Sequence, residues 1–362
     1  MARIGIIGTG WGARVQVPAF RSAGLDVVAI AGKSPDKTRE KAASLQVGTA
    51  YDDWRQLVHD ANVELVSIVT PPSTHMEMAT EALRAGKHVL SEKPTAMNAT
   101  EAQAMLREAR SRPDQISLID HELRFLPSWA EARTRLASIG DLRHAEVRYS
   151  SPSRGASDRA WNWWSDESQG GGVLGAVGSH AIDALRHLGG EIDAVQAVLH
   201  TFVPSRPWNG SQRAVTSDDF ASFHVRFARG AVGAVSLSVV AAVDEPTTIT
   251  LHGENGGLHL RETSLFAASS GGSWEKVFEG EPEVTGDSPG GAFGTATVHL
   301  GHALREALDE GNRGALFSGA TFEDGLRQQQ VLDAVRESHH AGGGWVTIGS
   351  VPDPRQNAPA GF

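Results

Sequence analysis

The sequence lacks cysteine altogether, across 362 residues. That excludes a disulfide framework and any thiolate chemistry. It also lacks a long hydrophobic run. The longest apolar-looking stretch, AVGAVSLSVVAAV at 231–243, is too short and too broken by serine to cross a bilayer, and reads as a strand. Positive charge is in deficit: 33 Lys and Arg stand against 43 Asp and Glu, a formal net charge of -10. The balance favours solubility and argues against a broad nucleic-acid footprint. No internal repeat, low-complexity block or metal-ligand spacing stands out. His339 and His340 are adjacent, so on a helix they point to different sides and make a poor metal pair. The first strand pattern starts at Ala2, which leaves no room for a leader. A cytoplasmic protein is expected, with neither nucleic acid nor membrane as partner.

Hydrophobic residues make up 40% and charged residues 21%, ordinary for a globular chain of two domains. The opening ARIGIIGTGWGA runs from a short apolar strand into Gly8-Thr9-Gly10-Trp11-Gly12-Ala13. This is the G-x-G-x-x-[G/A] dinucleotide fingerprint, with Ala13 in third place. Gly8 permits the tight turn, Gly10 lets a pyrophosphate approach the backbone, and Ala13 is small enough for close helix–strand contact. The helix that follows offers free N–H groups and a positive dipole end to phosphates. Further apolar strands at 25–32, 63–70, 87–92 and 115–120 alternate with helical patterns such as 73–86. That alternation means a doubly wound parallel sheet, a Rossmann-type domain.

The end of the second strand selects the cofactor. NAD-binding versions carry an acid there for the ribose 2′-hydroxyl. This chain has Gly32-Lys33-Ser34 instead, and a lysine and a hydroxyl suit a 2′-phosphate. NADP is favoured, with Asp36 close enough to leave NAD as the alternative. Thr70-Pro71-Pro72 and Glu92-Lys93-Pro94 end the next strands, at the carboxyl edge where open α/β sheets bind ligands.

From about Asp120 the pattern changes. Strands at 140–151, 191–203, 217–228, 231–242, 247–253 and 257–261 are joined by short turns such as Arg229-Gly230, which means an antiparallel sheet. A long helix is expected over 320–342. Val225, Phe227, Val235, Leu237 and Val239 keep alternate spacing, and such a face is expected to be buried between subunits of a dimer or tetramer. Trp161, Trp163 and Trp164 crowd the stretch before the run GGGVLGAVGSHAID at 170–183, with Trp163 expected to face a pocket. The triple glycine allows close approach before a helix over 176–188, which places Ala176, His180 and Asp183 on one face.

Jointly and in this order, GTGWGA, TPPSTH (70–75), Glu92-Lys93-Pro94, HELRFLP (121–127) and the GGG…GSHAID run resemble the Gfo/Idh/MocA oxidoreductases (glucose–fructose oxidoreductase, inositol dehydrogenase and rhizopine-catabolism proteins) over nearly the whole chain. LHTFVPS (199–205), VTSDDF (215–220), HGENGGL (252–258) and ATFEDG (320–325) resemble the glucose–fructose oxidoreductase domain-containing branch. The resemblance implies a Rossmann domain over 1–120, a C-terminal α/β domain with a large, mostly antiparallel open sheet over 121–348, and a tail over 349–362. It implies that Thr70, Pro71, His75, Glu92 and Lys93 join the glycine motif around the cofactor, and that the Lys93–Pro94 bond is cis. Lys93 is implied to polarise the reacting oxygen, and His180 to exchange its proton. Arg124, Trp163, Asp183 and Glu122 are the substrate-side candidates. The family's usual aspartate four residues before the histidine is Ala176 here, so His180 needs Asp183, Glu122 or water as its partner. The expected activity is NAD(P)-dependent oxidation or reduction of a secondary hydroxyl or carbonyl on a sugar or polyol. The alternatives are a cofactor-binding protein with little turnover, and glycoside cleavage through transient ring oxidation.

Overall fold

The computed structural model describes residues 1–281 and 291–349, so all but the first residue of the expected tail lies outside the described residues. The first layer is built by β1 (Arg3–Ile7), β2 (Asp26–Ala31), β3 (Thr49–Tyr51), β4 (Leu65–Ile68), β5 (His88–Ser91) and β6 (Ser117–Ile119). Between them run α1 (Val17–Ser22), α2 (Pro35–Ser44), α3 (Trp54–His59), α4 (His75–Arg84) and α5 (Ala99–Arg110). These six strands are parallel, in the order 3-2-1-4-5-6. Their residues are apolar on both faces: Ile4, Ile6, Leu65, Val66, Ile68 and Val89 have no exposed surface. That is what a strand covered on both sides by crossover helices requires. The order reverses between β1 and β4, and the strand ends part there.

The second layer follows α6 (Pro127–Arg135): β7 (Leu142–Ser150), α7 (Ser179–Gly189), β8 (Ile192–His200), the hairpin β9 (Ser205–Trp208) and β10 (Ser211–Ala214), then β11 (Phe220–Phe227), β12 (Val232–Ser238), β13 (Glu245–Gly253), β14 (Gly256–Arg261), β15 (Ser264–Ser269) and β16 (Glu275–Glu279). The sheet runs 16-15-14-13-7-12-11-8 and is antiparallel except where β12 lies along β7. A last strand, β18 (Val346–Thr347), pairs with β8. Among the described residues, no helix is long and apolar enough to cross a membrane.

The chain also returns to the first layer. After α8 (Ala292–Asp309), which packs on α1, the short β17 (Ala320–Thr321) pairs antiparallel with β6. Thr321 and Asp324 then form a reciprocal capping box that starts α9 (Phe322–His340). α9 packs on both α5 and β8, so it belongs to neither layer alone.

One expectation is corrected. Val225, Phe227, Val235, Leu237 and Val239 do not form a surface for a second subunit. They are buried within the chain, in one core with Ile182, Leu185, Val331 and Val335 of α7 and α9. The outer face of the same strands carries Glu146, Arg148, His224, Arg226 and Ser236, all exposed. Period-2 alternation shows that one face is covered, not by what. Phe227→Ala should therefore cost about 3–5 kcal/mol of stability as a core truncation. Val232→Ala, on the outer face, should cost under about 0.5 kcal/mol. Urea unfolding of the two variants checks both values.

Candidate active site

A cleft of about 970 Å³ opens at the switch point and runs between the layers, the size expected of a ligand site. Its floor is the glycine turn. Gly8 has φ +132, and a Cβ there would run into the carbonyl oxygen of Val69. A Cβ on Gly10 would meet nothing within 4 Å, so the backbone is bare toward the cleft. Gly8, Thr9, Gly10 and Trp11 line the cleft. Gly12 and Ala13 do not. A Cβ on Gly12 would lie 2.7 Å from Ile6, and Ala13 is buried, so both serve helix–strand packing.

Farther along the floor, Lys33 lines the cleft and makes no ion pair among the described residues. Ser34 does not reach the cleft: it caps α2, and its carbonyl accepts from Thr38 Oγ1 at 2.7 Å. The nearby acids are already paired. Arg39 joins Asp36 (2.8 Å) and Asp52 (3.2 Å), while Asp53 caps α3 and lies 3.6 Å from Arg55. Asp52, Asp53, Trp54 and Arg55 all line this end. Sequence reading missed them because they follow β3, which carries no motif.

The loops after β4 and β5 form the next part of the wall. Thr70, Pro71, Glu92 and Lys93 line it, and the Lys93–Pro94 bond is cis. His75 does not. It is fully buried, with its ring nitrogens 3.0 Å from the Pro94 carbonyl and 2.8 Å from the Thr70 carbonyl. It ties the two loops together instead of touching a ligand, and burial pulls its pKa down.

The far end is aromatic and partly charged. Trp129, Tyr149, Trp163, Trp164 and Phe293 line it, with Leu237 and Ile249 from the sheet. Trp164 thus joins Trp163 at the wall. Trp161 is turned away, buried, with its indole N–H donating to the Ala214 carbonyl at 3.0 Å. The GGG run enters a single π-helical turn, Leu174–Gly178, which continues into α7. Such a turn shifts backbone hydrogen bonds by one residue and leaves carbonyls free. Within this turn, Lys93 Nζ donates to the Ala176 carbonyl at 2.9 Å. At the position where the resemblance puts an aspartate, the backbone itself receives the ammonium.

His180 lines the cleft but lacks an acidic partner. Its ring meets His121 and Phe293 edge-on, at 5.4 and 5.2 Å, and makes no hydrogen bond among the described residues. Burial, then the charge of Lys93 and the neighbouring His121, holds its pKa well below the usual histidine value, so the ring is neutral near pH 7. Asp183 is not its orienter. Arg124 grips Asp183 with two donors, Nε to Oδ2 at 2.9 Å and Nη2 to Oδ1 at 2.6 Å, and also reaches Asp324 at 3.3 Å. Arg124 and Asp183 are 6% and 2% exposed, and neither lines the cleft. The expected substrate anchor is instead a clamp joining the Glu122–Phe125 turn to α7 and α9.

Glu122 does line the cleft, 3% exposed. Sequence reading missed its neighbour Asp120, although Asp120 sits at the carboxyl end of β6 where such residues are sought. It also missed Gln16, His121 and Phe293. Phe293 lies far along the chain on α8 with no motif around it. Among the described residues there is no cluster of acids and histidines that could hold a metal ion.

A bare glycine floor at a switch point, walled by a second sheet, is the build of the NAD-binding oxidoreductases with a Rossmann first domain. The comparisons agree. Residues 2–119 match the model of the oxidoreductase family with an NAD-binding Rossmann fold, and 129–259 match the GFO/IDH/MocA C-terminal domain. Glucose-fructose oxidoreductase domain-containing protein 2 of Xenopus tropicalis is 32% identical, covering 94% of this chain and 92% of that protein. Levoglucosan dehydrogenase of Pseudarthrobacter phenanthrenivorans is 27% identical over 88% of each chain. A solved levoglucosan dehydrogenase in complex with NADH and levoglucosan superposes with a TM-score of 0.86 at 26% identity, covering 97% of this chain and 100% of that one. The chain belongs to the Gfo/Idh/MocA oxidoreductase family.

Two outcomes test the clamp. Arg124→Ala should destabilise by about 3–5 kcal/mol, because it strands a buried carboxylate. A substrate anchor would instead raise KM and leave urea unfolding unchanged. Burial alone would raise the Asp183 pKa, but His121 and Arg124 outweigh it and hold the group down to about 2. Its stabilisation, about 2 kcal/mol by linkage, is then fully present above the unfolded carboxyl pKa and lost as pH falls toward the folded value. In Asp183→Asn the acid limb of the Tm–pH curve should flatten.

Proposed function

We propose that the protein is an NAD(P)-dependent oxidoreductase that interconverts a secondary hydroxyl and a carbonyl on a sugar, polyol or related uncharged small molecule. The observation that carries this is Lys93. Its ammonium stands in the cleft wall beyond the bare glycine floor, aimed by the Ala176 carbonyl. The floor fits a dinucleotide, because Gly10 leaves open backbone where a pyrophosphate needs close approach. Gly8, Thr9, Gly10 and Trp11 would hold the phosphates. Thr70, Pro71 and Glu92 would flank the nicotinamide end. A nicotinamide bound there supplies the hydride acceptor or donor.

Lys93 polarises the reacting oxygen as a fixed cation in a water-poor site. His180, a neutral ring, hydrogen-bonds that oxygen. The sugar or polyol assignment rests on likeness to levoglucosan dehydrogenase, whose structures hold NADH with levoglucosan or L-sorbose. The local chemistry agrees: the far wall offers indole faces, which suit the apolar side of a sugar ring. An uncharged substrate is favoured because Arg124 is not free to hold an anion. NADP is favoured over NAD, since Lys33 is the unpaired cation where the nearby acids are neutralised.

Calorimetric titration of the apoprotein should give tighter binding of NADP⁺ than of NAD⁺, and Lys33→Ala should remove the difference. Equal affinities in the wild type would defeat the NADP assignment. Across a panel of sugars and polyols, Lys93→Ala should cut kcat by about 10²-fold or more, the scale of a positioned polarising or acid–base group, with little change in cofactor affinity. Wild-type turnover in Lys93→Ala would overturn the mechanism.

A further inference from the structure

Three carboxyl groups and one ammonium gather at the middle of the cleft, with Glu92, Lys93 and Glu122 in its wall and Asp120 behind them. Glu92 follows β5, and Asp120 and Glu122 follow β6. Asp120 is 1% exposed and Glu122 3%. Burial pushes the Glu92 and Asp120 carboxyls above their usual range, the charge of Glu92 pushes Asp120 further, and Lys93 opposes both shifts. Asp120 Oδ2 accepts from Gln16 Nε2 at 2.8 Å, and Gln16 is held in that orientation because its Oε1 accepts from Ser67 Oγ at 2.6 Å.

Two oxygens are left buried without a partner among the described residues: Asp120 Oδ1 and Glu122 Oε2. Of these two residues, Glu122 lines the cleft. A buried carboxyl oxygen with nothing to bond is costly as an anion, which favours the protonated acid. The charge count points the same way. Three carboxylates against one Lys93 ammonium would leave two uncompensated negative charges in a dry site. One carboxylate and two neutral acids balance it.

The groups that act on Glu122 are Asp120, Glu92 and Lys93. His180 of α7 lines the same cavity, and α8, which packs on this turn, carries His299 and His302. Arg124 is committed to Asp183 and Asp324. Burial first, then repulsion from Asp120 and Glu92, pushes the Glu122 carboxyl well above the usual range, with Lys93 opposing.

We propose that Glu122, which lines the cleft with Lys93 and His180, holds and exchanges the proton of the reacting oxygen; this rests on the oxidoreductase reading above. In carbonyl reduction the O–H bond of the Glu122 carboxyl breaks, its electron pair stays on the carboxylate, and the proton completes the product hydroxyl. The hydride that forms the new C–H bond is the nicotinamide's. Once the product leaves, the Glu122 carboxylate takes up a proton from solvent. In alcohol oxidation each transfer reverses, and the substrate proton ends on the Glu122 carboxylate. Lys93 stays an ammonium throughout, and His180 stays neutral. The acid missing at position 176 is thus supplied from another element, the end of β6.

The test is Glu122→Gln, which keeps shape and burial but cannot exchange a proton, beside Glu122→Asp. Infrared spectra of the apoprotein at neutral pH should show a protonated-carboxyl band that is weakened in Glu122→Gln. Because the folded carboxyl keeps a proton that the unfolded one releases, wild-type stability falls as pH rises above the unfolded glutamate pKa. The Tm of Glu122→Gln should therefore gain on the wild type with rising pH. With a turned-over substrate, Glu122→Gln should lose about 10²-fold in kcat and the alkaline limb of the reduction profile. Glu122→Asp should restore part of the rate, and cofactor Kd should stay within about twofold for both. An unchanged carboxyl band, or wild-type kcat with an unchanged pH profile in Glu122→Gln, overturns the proposal. A wild type that turns over nothing while the band and Tm behave as expected defeats the oxidoreductase reading and its proton step, and leaves only the protonated state of Glu122 standing.

Discussion

The two-layer architecture depends on one buried ion pair. Arg124 stands in the turn that leaves the parallel sheet, Asp183 on α7 and Asp324 at the start of α9. These are the segments through which the second layer is hung on the first. A guanidinium offers several donors in one plane, so it can bind two carboxylates on different elements and set the angle between them. Arg186 adds a second tie, donating to the Asp324 carbonyl and to Glu191. With α7 fixed, the π-helical turn that precedes it is fixed too, and the carbonyl of Ala176 is delivered to Lys93.

That delivery bears on position 176, where the resemblance implies an aspartate and this chain has alanine. An aspartate there would place a charge beside the lysine and the histidine. With alanine, Lys93 is aimed by a neutral carbonyl, and no carboxylate acts on the His180 ring, which burial and two basic neighbours keep uncharged. The negative charge of the pocket comes instead from the first layer, from Glu92, Asp120 and Glu122. The pocket therefore has one fixed cation, acids that burial holds above their usual range, and a ring that cannot readily become charged. Its acid–base capacity lies on the carboxyl side.

The cleft divides by chemistry along its length. Bare backbone and an unpaired lysine occupy one end, charged side chains the middle, and indole, phenyl and aliphatic groups the other. The aromatic end is contributed mostly by the second layer, whose sheet turns the edge of its buried face, Leu237 and Ile249, toward the ligand. The outer face of that sheet mixes polar residues with the exposed Val198 and Val232, while the buried alternation of β11 and β12 is used up within the chain.

What the sequence determined by itself is whatever depends on neighbours in the chain. The glycine turn, the strand–helix alternation and the proline-ended strands are local chemistry, and they specify the parallel sheet, its switch point and the loops that line the cleft. The cis bond at Lys93–Pro94 was implied by the same local motif through family resemblance. The long helix α9 and the antiparallel strands were legible in their periodicity. The tertiary structure alone decided the partners. Arg124 and Asp183 lie 59 residues apart, Arg124 and Asp324 lie 200, and Lys93 and Ala176 lie 83. Spacing says nothing about pairing over such distances, so a candidate substrate anchor became a clamp, a candidate cofactor ligand, His75, became a strut between loops, and a candidate orienter, Asp183, was already taken. The covered face of the sheet was legible, and its cover was not, because alternation marks burial without naming what does the burying. The protonation of Glu122 belongs to the same class: it is set by charges brought together from two strand ends, and only the folded chain brings them together.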